Sequence, residues 1–211
     1  MKAFIILLLV FSLLSGIGFG MYYSANGPKD VYDIAESSKP TKVTTEVSYS
    51  TMQGDNLFGF YVTTVDGNDT KFEYEYQRLA TIEEMADGRI KTVSGTIYYH
   101  DGVYYGDDEE WKPGTGTALD LKLDINKKYL KDIEINEDGT VLFALVTPEN
   151  APSVIGTDLK AIDDIELTVE TNGVNLTMVT IYCLTQYGEM TIRTSYTYNE
   201  QNLFPETDSA E

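Results

Sequence analysis

The sequence predicts a mainly β domain, a curved antiparallel meander that forms a half-barrel covered by a few short helices. Three observations carry that expectation. Apolar residues recur at every second position along most of the chain, most cleanly where Phe72, Tyr74 and Tyr76 alternate with Glu73, Glu75 and Gln77. Turn dipeptides that tolerate positive φ, among them Asp87-Gly88, Asp101-Gly102, Asp138-Gly139 and Asn172-Gly173, punctuate these runs at hairpin distances. Helical spacing is confined to short segments.

From the start, residues 3–23 contain no charged side chain, and residues 4–14 are almost wholly Ile, Leu, Val and Phe. This pattern suits a signal peptide or an N-terminal membrane anchor over residues 1–25. Gly18-Phe19-Gly20 offers a small-x-small cleavage site, while the length of the apolar run and the Tyr22-Tyr23 pair favour a retained anchor. Either alternative makes the rest extracytoplasmic, tethered by the N-terminal helix or secreted after cleavage. No cysteine follows the segment, so a lipobox is excluded. Residues 26–29, with Asn26-Gly27-Pro28, read as a linker to one domain over residues 30–199.

Asp30 is placed to cap a helix running through Ser37, with Val31, Ile34 and Ala35 on one face and Pro40 ending it. Strands are expected over 43–52, 57–66, 70–82, 89–99, 102–106, 131–136, 140–147, 163–171, 174–187 and 189–199. Two interruptions have helical character. In residues 119–130, Leu119, Leu123, Asn126, Tyr129 and Leu130 share a helical face, although Leu119, Leu121 and Leu123 also alternate as in a strand; residues 148–155 read as a single turn. Val174, Leu176 and Met178 occupy one parity and Val179, Ile181 and Cys183 the other, which calls for a bulge or for burial on both faces. Residues 200–211 read as an acidic, flexible tail.

Composition narrows the function. The 211 residues carry 15 Lys plus Arg against 34 Asp plus Glu, a formal net charge of −19. Such a surface repels phosphate backbones and anionic headgroups, so nucleic acid and polybasic membrane docking are excluded as partners. A core of this size buries roughly 70% of the unfolded chain's surface and needs no staple. The single cysteine, Cys183, forms no intramolecular disulfide and reads as a small buried hydrophobe.

Catalytic patterns are weak. His100, the only histidine, sits in a Tyr-His-Asp-Gly turn without a triad partner, and one His with one Cys make no zinc site. The carboxylates at Glu83-Glu84, Asp107-Asp108-Glu109-Glu110, Glu137-Asp138 and Asp163-Asp164 read as solvated turns, and no Asp-x-Asp-x-Asp-Gly calcium loop is present. Asn68-Asp69-Thr70 and Asn175-Leu176-Thr177 match the glycosylation sequon. The chain therefore reads as no enzyme, with no cofactor and no metal.

An N-terminal helix leading into the meander, the Gly-Thr-Ile-Tyr-Tyr-His-Asp-Gly-Val-Tyr-Tyr hairpin at 95–105, Trp111-Lys112-Pro113, a helical insertion and a closing strand pair ending in Tyr196-Thr197-Tyr198-Asn199 resemble the LolA and LppX lipoprotein-carrier superfamily. That resemblance implies a half-barrel lidded by helices that holds an apolar ligand, a lipid or acyl chain. The inward parity would then be Phe60, Val62, Phe72, Tyr74, Tyr76, Phe143, Met178, Met190 and Tyr196. The lipoprotein members carry a lipobox cysteine that this chain lacks. The alternative is a membrane-tethered interaction or sensor ectodomain with a filled core, an acidic surface and a protein partner.

Overall fold

Among the described residues, ten strands build the domain: β1 (Lys42–Thr51), β2 (Asn56–Asp66), β3 (Asp69–Leu79), β4 (Ile90–His100), β5 (Val103–Gly106), β6 (Leu130–Ile135), β7 (Val141–Val146), β8 (Ile165–Thr171), β9 (Leu176–Thr185) and β10 (Gly188–Thr197). They form one antiparallel sheet in the order β5-β4-β3-β2-β1-β10-β9-β8-β7-β6. The sheet is curved and open, with β5 and β6 at its edges, and two short helices, α1 (Val31–Ser37) and α2 (Ala151–Val154), accompany it. The computed structural model describes residues 30–66, 69–100, 103–106, 125–155 and 159–198. Outside the described residues lie the N-terminal segment and linker (1–29), residues 67–68 with the first sequon's Asn68, the 101–102 turn, the acidic run and Trp-Lys-Pro within 107–113, residues 119–124, and the tail.

All ten strands fall where the alternation puts them, with ends shifted by three residues or fewer. In the expected insertion, residues Lys127–Tyr129 form a 3-10 turn and Leu130 already belongs to β6. The parity switch in β9 is a bulge. Glu170 pairs with Met178 but Thr171 with Leu176, so Thr177 is the extra residue and both Leu176 and Val179 reach the same face. A second bulge in β6, between Lys131 and Glu134, contains Asp132 at φ 46°.

The register defines the two faces of the sheet. Ile192 pairs with Val47 on one side and with Ile181 on the other, Ile181 with Leu167, and Leu167 with Ala144. These side chains, with Leu142, Val146, Ile165, Val169, Val179 and Cys183, form a buried cluster that α1 and α2 join through Val31, Ala151 and Val154. We call this the inner face. Cys183 lies within it, as its apolar neighbours predict, and burial pushes its thiol pKa up.

Helix α1 is only seven residues long and owes its position to its ends. The Asp30 carboxylate accepts the Tyr32 and Asp33 N–H groups, both at 3.0 Å. At the other end, Ser38 Oγ donates to the Ile34 carbonyl at 2.7 Å and accepts the Leu176 N–H at 2.9 Å, tying the helix to the start of β9. The central pair, β1 and β10, approach so closely at Gly188 that a Cβ there would run into the Ser50 carbonyl; φ of 147° also excludes other residues.

Adjacent positions on β7 test this division of faces. Leu142 is fully buried on the inner face, whereas Phe143 is 48% exposed on the opposite one. Leu142→Ala is expected to cost about 2–5 kcal/mol in urea unfolding. Phe143→Ala should stay within about 0.5 kcal/mol of the parent, and the reverse ranking would invert the register.

Candidate functional site

The inner face is used differently in the two halves of the sheet. Across β7 to β10 it is packed with aliphatic side chains; across β2 to β4 it carries rings. Tyr61 pairs with Tyr74, Gly59 with Tyr76 and Thr63 with Phe72, which puts Tyr61, Phe72, Tyr74 and Tyr76 on one face. Their centroids lie 5.7–6.4 Å apart, and three of the four contacts are stacked, with interplanar angles of 12–27°. None belongs to the aliphatic cluster. The rings are partly buried, and burial, reinforced by the neighbouring Tyr76, raises the Tyr61 hydroxyl pKa.

Two glycines let these rings lie down. A Cβ at Gly95, the cross-strand partner of Tyr74, would sit 2.5 Å from the Tyr74 hydroxyl oxygen, and one at Gly59 would sit 2.8 Å from the Tyr61 ring. Glycine inside a strand signals such close approach. The result is an aromatic floor in which the Tyr61 and Tyr74 hydroxyls lie over the two glycines.

The turn closing β3 and β4 is held by a two-pronged contact. Arg78 donates from both Nη atoms to the Glu84 carboxylate at 2.7 Å, and Glu84 also accepts the Thr81 N–H at 2.8 Å. The Arg78 fork first, then the Thr81 N–H, hold the Glu84 carboxyl well below the usual carboxylate range.

Of the nine residues expected to face one cavity, Phe72, Tyr74 and Tyr76 come together on this floor. Met190 and Tyr196 share the inner face but pack against the aliphatic cluster, at opposite ends of β10. Phe60, Val62, Phe143 and Met178 point to the other face, and their assignment to the inward parity is corrected. Phe60 pairs with Glu75 and Val62 with Glu73, because β2 carries aromatics on both parities and its register with β1 selects Gly59, Tyr61 and Thr63 for the inner side. Phe143 alternates with the buried Leu142 and Ala144, and the bulge at Thr177 turns Met178 outward. Tyr61 was missed; the signal that finds it is Gly59 two residues earlier.

Tyr182 lies on the outer face, where burial, then Glu189 and Glu166, raises its pKa. The Glu137-Asp138 and Asp163-Asp164 pairs lie in turns and Glu84 in the Arg78 clasp. Among the described residues, no three His, Cys, Asp or Glu side chains are grouped to hold a metal, and no helix is long and apolar enough to cross a membrane.

The Tyr196 hydroxyl is pushed up to about 12, by burial first and then by Tyr198. In the unfolded chain it ionises near pH 10. Its contribution to stability is complete below about pH 10 and disappears as pH rises to about 12, since only the unfolded state loses the proton in that window. Urea midpoints measured from pH 9 to 11.5 should therefore fall more steeply for the parent than for Tyr196→Phe. A second expectation concerns the floor. Gly95→Ala should lift the Tyr74 ring and change the near-ultraviolet circular dichroism while the far-ultraviolet spectrum stays the same.

No protein-family model matches the chain, and no curated protein matches it. Among solved structures it is similar to an S-type phycobiliprotein lyase from Guillardia theta, at 10% sequence identity and a TM-score of 0.34, over 86% of this chain and 99% of that one. A likeness of this degree transfers no activity or ligand. That similar protein is a lyase, and the expectation that this chain is no enzyme is withdrawn. Of the carrier resemblance, the curved antiparallel sheet with short helices is what the structure shows.

Proposed function

We propose that this chain is an extracytoplasmic binding protein that takes an apolar molecule, a lipid or acyl chain, on the inner face of β2 to β4. One observation carries the reading: Tyr61, Phe72, Tyr74 and Tyr76 form a continuous ring surface on the face of the core, beyond the aliphatic cluster that fills the other half. A packed core has no need of such a division. Rings lying flat over glycines bury less aliphatic surface than upright side chains would, but they leave a smooth bed against which a chain of methylenes can lie. Each methylene buried there contributes about 0.8 kcal/mol, so ten carbons supply enough to offset the cost of association. The finer reading is a carrier of the LolA and LppX kind, with residues 1–25 taking the domain across a membrane as anchor or signal.

The full chain should take up a fluorescent fatty acid. Replacing both Tyr74 and Tyr76 by Ser should lower that uptake at least tenfold, whereas Phe143→Ser, on the opposite face, should leave it unchanged. The filled aliphatic half favours the second reading, a tethered interaction or sensor ectodomain. Absence of uptake by a folded parent, or uptake indifferent to the tyrosine pair, would leave that reading in its place.

A further inference from the structure

The face opposite the packed cluster holds a trough that the proposed apolar site does not use. It encloses about 460 Å3 and is lined by Glu46, Phe58, Phe60, Glu75, Gln77 and Arg193, among others. Phe58 and Phe60 form its floor, and they are 57% and 46% exposed. Successive register pairs draw a straight row across four strands, from Arg193 on β10 to Glu46 on β1, Phe60 on β2 and Glu75 on β3. The Phe60 ring therefore stands between two carboxylates.

Among the described residues, neither the Glu46 nor the Glu75 carboxylate has a hydrogen bond or ion pair, and the Arg193 guanidinium has none either, although Arg193 is the register partner of Glu46. Other acids nearby are engaged: Glu73 by Lys71 at 2.8 Å and Glu84 by Arg78 at 2.7 Å. Gln77 is occupied by the Phe58 N–H at 3.3 Å. Strands are spaced about 4.8 Å apart, which puts the two glutamate backbones about 10 Å apart, and both side chains can reach a charge centred over Phe60.

We infer that this trough binds a small amphiphilic cation, an ammonium carried on a short aromatic or alkyl body. The ammonium would sit over the Phe60 ring between Glu46 and Glu75, and the apolar body would lie along Phe58. Three features argue for this class. A ring face attracts a cation through its quadrupole, and the two carboxylates on either side reinforce that attraction. The volume lies within the range of small-molecule sites. Arg193, at the far wall beyond Glu46, offsets one of the two negative charges, and the remaining charge has the sign of the whole chain, −19, which concentrates cations at the surface.

The test is calorimetric titration of the full chain with three phenyl probes that differ in charge: benzyltrimethylammonium, benzyl alcohol and benzenesulfonate. The cation should bind most tightly and weaken as salt is raised. Its affinity should fall about tenfold or more in Glu46→Gln/Glu75→Gln, and likewise in Phe60→Ser. Both variants change exposed positions, and an unaltered thermal transition shows that they fold. Tyr74→Ser, on the opposite face, should keep full affinity for the cation, which separates this site from the fatty-acid site. The proposal is overturned if the cation does not bind, if benzyl alcohol or benzenesulfonate binds as tightly, or if the glutamine pair leaves its affinity unchanged.

Discussion

The pairing of the first strand with the last holds this domain together. β1 and β10 match over ten residue pairs, from Lys42 opposite Thr197 to Thr51 opposite Gly188, and they occupy the middle of the sheet. Each strand then carries a meander outward, β2 to β5 on one side and β9 to β6 on the other. Without that seam the chain would be two separate five-stranded ribbons, and the aliphatic cluster would lose the packing of Val47 against Ile192. The seam has its own chemistry. The Thr45 and Thr194 hydroxyls meet at 3.1 Å where both are buried, and Gly188 admits the close passage of the Ser50 backbone. Joining residues so distant in sequence carries a loop-closure cost that local hairpins avoid, so the seam is also the step expected to set the folding rate.

The two halves put the inner face to different uses. On β7 to β10, upright Leu, Ile and Val side chains interdigitate with the helices and supply the density that a stable core requires. On β2 to β4, the Tyr61 and Tyr74 rings lie over the space that Gly59 and Gly95 leave open. The first half provides rigidity and the second provides surface. The proposed site would thus stand on a rigid scaffold, where engaging a ligand costs little entropy.

Much of this was legible in the sequence. Alternation located every strand, the Asp30 cap and Val31, Ile34 and Ala35 located α1, and the apolar neighbours of Cys183 located a buried thiol. The opposing parities around Thr177 announced the bulge. The grouping of Phe72, Tyr74 and Tyr76 was legible for the same reason, since three rings on alternate positions of one strand must share a face. Phe60, Val62, Phe143 and Met178 were misplaced because alternation states which residues share a face within a strand and is silent about which face neighbouring strands turn the same way.

The sequence by itself determined the strands of the described residues, the Asp30 helix cap, the acidic balance and the absence of an intramolecular disulfide, because these follow from local spacing and from composition. Only the tertiary structure decided which parity of β2 faces the core. Phe58 and Phe60 are as apolar as Tyr61, and the choice between them was made by the register of β2 against β1, where Val47 meets Gly59. Register is a property of two strands at once: a shift of one residue exchanges every inner side chain for an outer one. The β1–β10 seam, together with the packing of Val47 against Ile192, selects one of those two arrangements and leaves Phe58 and Phe60 on the outer face, with Phe60 between two glutamates.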